Sequence, residues 1–296
     1  MVAIPKPKTT KEILNSRIYE SKPSRRLALS SIGKECYRAL WYSFHWVSKK
    51  QTKARIQRIF TIGNIFEEMI ISDLESVGIL CYRKKIVNEE TTIIKITGKV
   101  GEQQEEIIGF AGHAVGRIDG RGTGFIEFPN KELLLEFKTM ADKQFSLLIK
   151  EGVQKSQPVY YAQCQRYLHG LKLEICCFIA INKNDCSYHF EFIEYDKNYA
   201  LDLVRKEQEI IISDHPPDKH YSVGHYQCNM CEHNPVCHLG DEIQKTCRTC
   251  CHVDLDVGGN WICTNRKKFP KDYILNYDEQ LLGCEHYKLG WGIGFF

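Results

Sequence analysis

The chain has 296 residues, enough to bury one sizeable core with a small appended module, or two modest domains. Hydrophobic residues make up 43% and charged residues 26%, an ordinary balance for a soluble globular protein. Forty basic against 37 acidic residues leave a net charge of +3, too small to establish a nucleic-acid partner but compatible with a local basic face. No uninterrupted apolar run approaches the ~18 residues of a membrane span, so no membrane association is expected. The start, MVAIPKPKTTKEIL, lacks the apolar stretch of a secretory signal, and a cytoplasmic location is the expectation.

Fourteen cysteines are many for such a chain. Without a route to an oxidising compartment, clustered thiols point to metal rather than to disulfides. Cys176 and Cys177 lie within the apolar run EICCFIAI and read as core residues. Two other groups have ligand spacing.

In chain order, residues 1–30 are polar and basic, with Arg25 and Arg26 the densest pair. From Ser31 to Trp46 aromatics and small polar residues surround Cys36. Residues 55–77 predict an amphipathic helix, because Ile59, Phe66, Ile70, Leu74 and Val77 recur at helical spacing and Gly78 follows as a stop. Between Cys81 and Lys138 short runs rich in Ile, Val and Thr take over. TTIIKIT, IIGFAGHAVGRID, GFIEF and ELLLEFK predict consecutive strands of one sheet. Residues 141–170 predict helix interrupted near Pro158, residues 174–182 a strand covered on both faces, CSYHFEFIEY another strand, and residues 197–213 a helix. This order indicates an α/β fold with helices on a mixed sheet. After Pro216–Pro217 the chain is poor in aliphatic runs and rich in Cys, His, Asn and Gly, so a metal is expected to hold it. The division follows: 1–240 as a catalytic domain and 241–296 as a small zinc-binding module. In the terminal GWGIGFF, Trp291, Ile293, Phe295 and Phe296 are expected to pack back on that module.

The sharpest chemical signal is Asp119, in Ile-Asp-Gly at a strand end, followed by Glu136-Phe137-Lys138 after three leucines. Two residues apart on a strand, Glu136 and Lys138 share a face. Two carboxylates and an ammonium at a sheet edge suit a divalent-metal site with an adjacent water. Glu67, in Gly63-Asn-Ile-Phe-Glu67 on the preceding helix, could add a ligand. Gln163 and Tyr167 stand at i and i+4 on a later helix face. His113, near the Asp119 strand, reads as structural.

The set Gly63-x3-Glu67, Asp119-Gly120, Glu136-x-Lys138 and Gln163-x3-Tyr167 resembles the PD-(D/E)xK nucleases of the RecB type, over roughly residues 31–240. The resemblance implies a restriction-endonuclease-like core, a DNA substrate and hydrolysis of phosphodiesters with Mg²⁺ or Mn²⁺. It makes Glu67, Asp119 and Glu136 metal ligands, Lys138 the residue that orients water, and Gln163 and Tyr167 positioning residues. Many relatives carry His where Glu67 stands, and a carboxylate there still suits Mg²⁺. Because many relatives are bacteriophage or DNA-repair exonucleases, the location becomes the host cytoplasm if the chain is phage-encoded.

Cys228-x2-Cys231-x5-Cys237 is a tight triple that needs a fourth ligand, and Cys36 can supply it once the fold brings the two ends together. This layout resembles the iron–sulfur branch of the same nucleases. Four thiolates suit a [4Fe–4S] cluster or Zn²⁺, with His233 and His238 as substitutes for Cys36. Cys247-x2-Cys250, Cys263 and Cys284 read as a zinc-ribbon-like Zn²⁺ site, with Cys251 competing for the place of Cys250, and His252 and His286 as alternates.

The leading expectation is an exonuclease acting on DNA that is single-stranded or has a free end, with Arg25, Arg26 and Arg166 on phosphates and a replication or recombination protein as a further partner. Two alternatives are a non-catalytic DNA-binding or assembly protein that keeps the fold, and a structure- or sequence-specific endonuclease.

Overall fold

All eight residues from Ile175 to Asn182 are buried, as expected of an uninterrupted apolar strand covered on both faces. The computed structural model around it describes residues 8–49, 51–87 and 90–290. The chain opens with α1 (Lys8–Ser16), β1 (Ile18–Glu20), β2 (Leu27–Ala28), α2 (Tyr37–Phe44), β3 (Gln51–Lys53) and the long α3 (Ala54–Ser76). Strands β4 (Leu80–Val87), β5 (Glu90–Lys95), β6 (Glu105–Ile108), β7 (Ala114–Ile118), β8 (Gly120–Thr123) and β9 (Leu133–Met140) follow. Then come α4 (Asp142–Ser156), α5 (Pro158–Leu171), β10 (Ile175–Asn182), β11 (Tyr188–Glu194) and α6 (Lys197–Ile212). Pro158 opens α5, where its missing N–H costs no helical bond.

Among the described residues the main sheet runs β11-β10-β9-β8-β4-β5. Only β9 and β10 pair in parallel. One face packs Leu134, Phe178, Leu148 and Tyr167 with Trp41 of α2; the other packs Leu135 and Ile179 against Ile70, Ile71 and Leu74 of α3. This is the mixed-sheet α/β architecture expected.

Three expectations need correction. β6 and β7 leave the main sheet and join β2 in a separate three-stranded sheet, so the middle strands do not form a single sheet. GFIEF is not a strand: β8 ends at Thr123, and Gly124 turns the chain at φ +96. Helix α3 buries Ile70, Ile71 and Leu74 in its second half, but Ile59 in its first half is exposed, and Val77, also exposed, lies beyond its end.

The remainder contains α7 (Tyr226–Asn229), α8 (Asn234–His238), a sheet of β12 (Val253–Leu255), β13 (Trp261–Cys263) and β14 (Tyr273–Ile274), and α9 (Tyr277–Leu282). It is tied to the first part by Arg248, 1% exposed, which lies between Cys247 and Cys250. Its guanidinium stacks on Trp46 and Trp261 at 3.6 and 4.3 Å from the ring centres. It donates to Phe44 O at 2.8 Å, Arg25 O at 2.7 Å and Gln280 Oε1 at 2.9 Å. Trp291, Ile293, Phe295 and Phe296 lie outside the described residues. No helix among the described residues is long and apolar enough to cross a membrane.

Removing the Arg248 side chain takes the donor from the Phe44 and Arg25 carbonyls and from the Gln280 amide oxygen, and leaves a gap between two indoles. Arg248→Ala is therefore expected to lower stability by about 3 kcal/mol. Urea unfolding measures this, and an unchanged midpoint would contradict the account.

Candidate active site

Asp119 stands where the chain crosses from one sheet to the other, between β7 and β8. Gly120 pairs with Leu135, which brings Asp119 beside the following residue of β9, Glu136. Gly120 keeps this approach close: a Cβ there would stand 2.5 Å from Ile96 Cδ1, which would have to move aside. The Asp119 carboxylate then accepts a hydrogen bond from the Phe137 backbone N–H at 2.8 Å. This locks it over the peptide between Glu136 and Lys138. Those two side chains project from the same face of β9 and form an ion pair.

Glu136 is fully buried. Its Oε1 accepts from the Gln163 amide at 2.6 Å and from Lys138, whereas its Oε2 is buried with no hydrogen-bond partner among the described residues. Lys138 also lies over the Tyr160 ring, 5.0 Å from its centre. Tyr160, Gln163 and Tyr167 share one face of α5 at helical spacing. Tyr160 was not singled out from the sequence, although that spacing could have found it. Tyr167 packs on β7, where a Cβ at Gly116 would come within 2.5 Å of its ring. It supports the strand that delivers Asp119, and burial, with Glu136 and Asp119 adding, raises its phenol above the usual range. Glu67 approaches from α3 and lines the same cavity as Asp119.

These charges shape one another. Burial pushes the Glu67 carboxyl up to about 8; Asp119 and Glu136 add to the rise and Lys138 opposes it. Burial raises Glu136 to about 7, with Lys138 opposing and Asp119 adding. Asp119 is raised by burial, against the pull of Lys138 and the Phe137 N–H. Burial works against the charge of Lys138, but Glu136 and Asp119 outweigh it and hold the ammonium above its usual range. A buried carboxylate oxygen with no donor, beside two more carboxyls, suits a hard divalent cation. Among the described residues no group of three or more His, Cys, Asp or Glu side chains, carboxylate or thiol, is placed so that it could hold a metal ion without rearrangement.

Both thiol groups converge on cavities. Cys36 just before α2, Cys228 in α7, Cys231 between α7 and α8, and Cys237 in α8 line one of about 20 Å³. Cys247, Cys250, Cys263 and Cys284 line another of the same size. Cys251 is exposed and is not among the residues lining it, whereas Cys250 is. His233 does not serve as a substitute ligand: its two ring nitrogens engage Ser43 Oγ at 2.8 Å and Ser48 Oγ at 3.1 Å. His113 is buried, and its Nε2 meets Asp256 O at 2.7 Å, a structural role. Arg166 is buried in an ion pair with Glu207 at 2.8 Å, so it does not reach a phosphate. Arg25 lies over the Tyr277 ring, and Arg26 is 3.9 Å from Glu106.

No family model and no curated protein matches the chain. Among solved structures, SSO0001 is similar at 16% identity and a TM-score of 0.41, covering 78% of this chain and 93% of that one. LHK-Exo in complex with dAMP is similar at 15% identity and a TM-score of 0.42, covering 63% and 86%. The alkaline exonuclease LHK-Exo from Laribacter hongkongensis is similar at 15% identity and a TM-score of 0.41, covering 64% and 87%.

A cation on these carboxylates must displace their protons. At neutral pH Glu67, at about 8, is mostly protonated, and Glu136, at about 7, is half so. Mn²⁺ binding should therefore release on the order of one proton near pH 7 and tighten as pH rises from about 6 to 8. Calorimetric titration in two buffers of different ionisation enthalpy reads the proton count. Glu67→Gln should lower it, and a count of zero in the wild type would contradict the assignment.

Proposed function

We propose that the chain is a divalent-metal-dependent DNA exonuclease of the PD-(D/E)xK type that hydrolyses phosphodiester bonds at DNA ends. The observation that carries this reading is the hydrogen bond from Phe137 N to Asp119, which gathers two carboxylates and Lys138 beside a partnerless buried oxygen of Glu136. Glu67, Asp119 and Glu136 would hold Mg²⁺ or Mn²⁺. When bound, such an ion supplies Lewis-acid charge at a phosphate and makes water a better nucleophile.

The chain's own residues provide the rest. Lys138 presents an ammonium at the same face, where it orients water toward phosphorus and offsets charge building on the phosphoryl oxygens. Tyr160 lies under Lys138 and limits its swing, while the Gln163 amide fixes one oxygen of Glu136 and leaves the other free. Tyr167 holds β7 in place through its contact with Gly116. The reacting DNA would be single-stranded or frayed at an end, so that one strand enters the cavity that Asp119 and Glu67 line.

The same reading gives the cysteines structural roles. Cys36, Cys228, Cys231 and Cys237 would hold a [4Fe–4S] cluster, with Zn²⁺ as the alternative, and so tie α2 to the segment after α6. Cys247, Cys250, Cys263 and Cys284 would hold Zn²⁺. The support in each case is four thiols on one cavity.

End-labelled linear DNA with Mg²⁺ or Mn²⁺ tests the activity. The wild type should shorten it from an end, Lys138→Ala and Asp119→Asn should each cut at least about 10²-fold more slowly, and closed circular DNA should survive. Background cleavage by the wild type with every metal would sink the proposal, and defined fragments from the circle would point to an endonuclease.

Absorption and metal analysis on anaerobically purified protein test the cysteine sites. A brown sample with about four irons and one zinc per chain, bleached by Cys36→Ser, is expected. Zinc alone would replace the cluster with a second zinc site.

A further inference from the structure

Beside Asp119 the site opens into a cavity of about 180 Å³. Glu67 of α3 forms one wall, Arg83 of β4 a second, and the loop of residues 97–104 a third. Gly98 presses that loop onto the helix at φ +72, where a Cβ would stand 2.9 Å from both Cα and N of Glu68. Lys99, the next residue, is exposed and lines the same cavity.

Arg83 is the group here whose bonding is incomplete. Its side chain is only 15% exposed, yet the nearest carboxylate oxygen, Glu102 Oε2, is 3.8 Å away, beyond hydrogen-bond reach. Glu102 is engaged elsewhere, accepting from Thr97 N at 3.1 Å and Thr97 Oγ1 at 2.9 Å. Glu105, another carboxylate on the rim, accepts from Arg121 at 2.6 Å and from Lys84 N at 2.7 Å. The Arg83 guanidinium thus keeps a planar fork of donors largely covered, with no acceptor bonded to it among the described residues. A guanidinium held only at ion-pair distance from Glu102 keeps its donors open to an incoming anion, and phosphate oxygens match that planar fork in pairs.

We propose that Arg83, assisted by Lys99, is a positioning site for a DNA phosphate next to the one being cut. The proposal rests on the nuclease reading and adds a residue outside that motif set. The carboxylates take the cation on one side of the cavity, and Arg83 takes an anion on the other. A strand spanning the two is held in register by two successive phosphates. The phosphate can be internal to the strand or terminal, and the chemistry of recognition is the same for both.

Fluorescence anisotropy in EDTA tests this with a single strand of about 16 nucleotides bearing a 5′-phosphate, a 3′-phosphate or neither. Arg83→Gln should bind about tenfold more weakly than the wild type, with Arg83→Lys between them and the thermal midpoints unchanged. An equal loss on all three strands assigns an internal phosphate; a loss confined to one phosphorylated end assigns that terminus. Unchanged affinity on all three overturns the proposal, as does a loss that only tracks a fall in the thermal midpoint. Because no metal is present, binding is read apart from cutting. Arg83-dependent binding without cleavage sinks the nuclease reading alone, and cleavage with Arg83-independent binding sinks this one alone.

Discussion

The site depends on one hydrogen bond, from the backbone N–H of Phe137 to the carboxylate of Asp119. Asp119 belongs to neither sheet; it is the residue at which the chain leaves β7 and enters β8. Without that anchor nothing would fix its side chain over β9. With it, groups far apart in sequence meet on one strand face: Asp119 from the crossing, Glu136 and Lys138 from β9, and Gln163 from α5. Two glycines make the approach possible, Gly120 against Ile96 and Gly116 against Tyr167.

Such a cluster is expensive to assemble. Three carboxyls and an ammonium taken out of water resist ionisation, which is why burial leads the causes that raise Glu67, Asp119 and Glu136. Lys138 offsets part of that cost, and the Gln163 amide offsets a little more. The remaining imbalance is what would give the site an affinity for a cation. The opposite arrangement occurs at Arg248, where aromatic faces and backbone carbonyls receive a buried cation without any carboxylate bonded to it. There the result is structural: the segment carrying Cys247 and Cys250 is fastened to α2.

Much of the candidate site's geometry was legible because it is local. Glu136 and Lys138 share a face by the two-residue period of a strand, and Gln163 and Tyr167 by the four-residue period of a helix. The burial of residues 175–182 followed from their composition. The misreadings concern long-range choices. Pairing of β7 with a two-residue strand at Leu27–Ala28 has almost no sequence signal, so the second sheet was invisible. Arg166 looked available for phosphate until Glu207, on another helix, was seen to neutralise it. Arg83 shows the reverse: in YRKK it is one cation among several, and only the cavity beside it and the engagement of Glu102 set it apart.

Soaking crystals in Mn²⁺ and locating the ion by its anomalous scattering tests the central claim most directly. The account predicts a peak within coordinating distance of both Asp119 and Glu136, on the side of the unpartnered Glu136 oxygen, and no peak there in Asp119→Asn. Manganese bound elsewhere, or a site unchanged by that substitution, would contradict it.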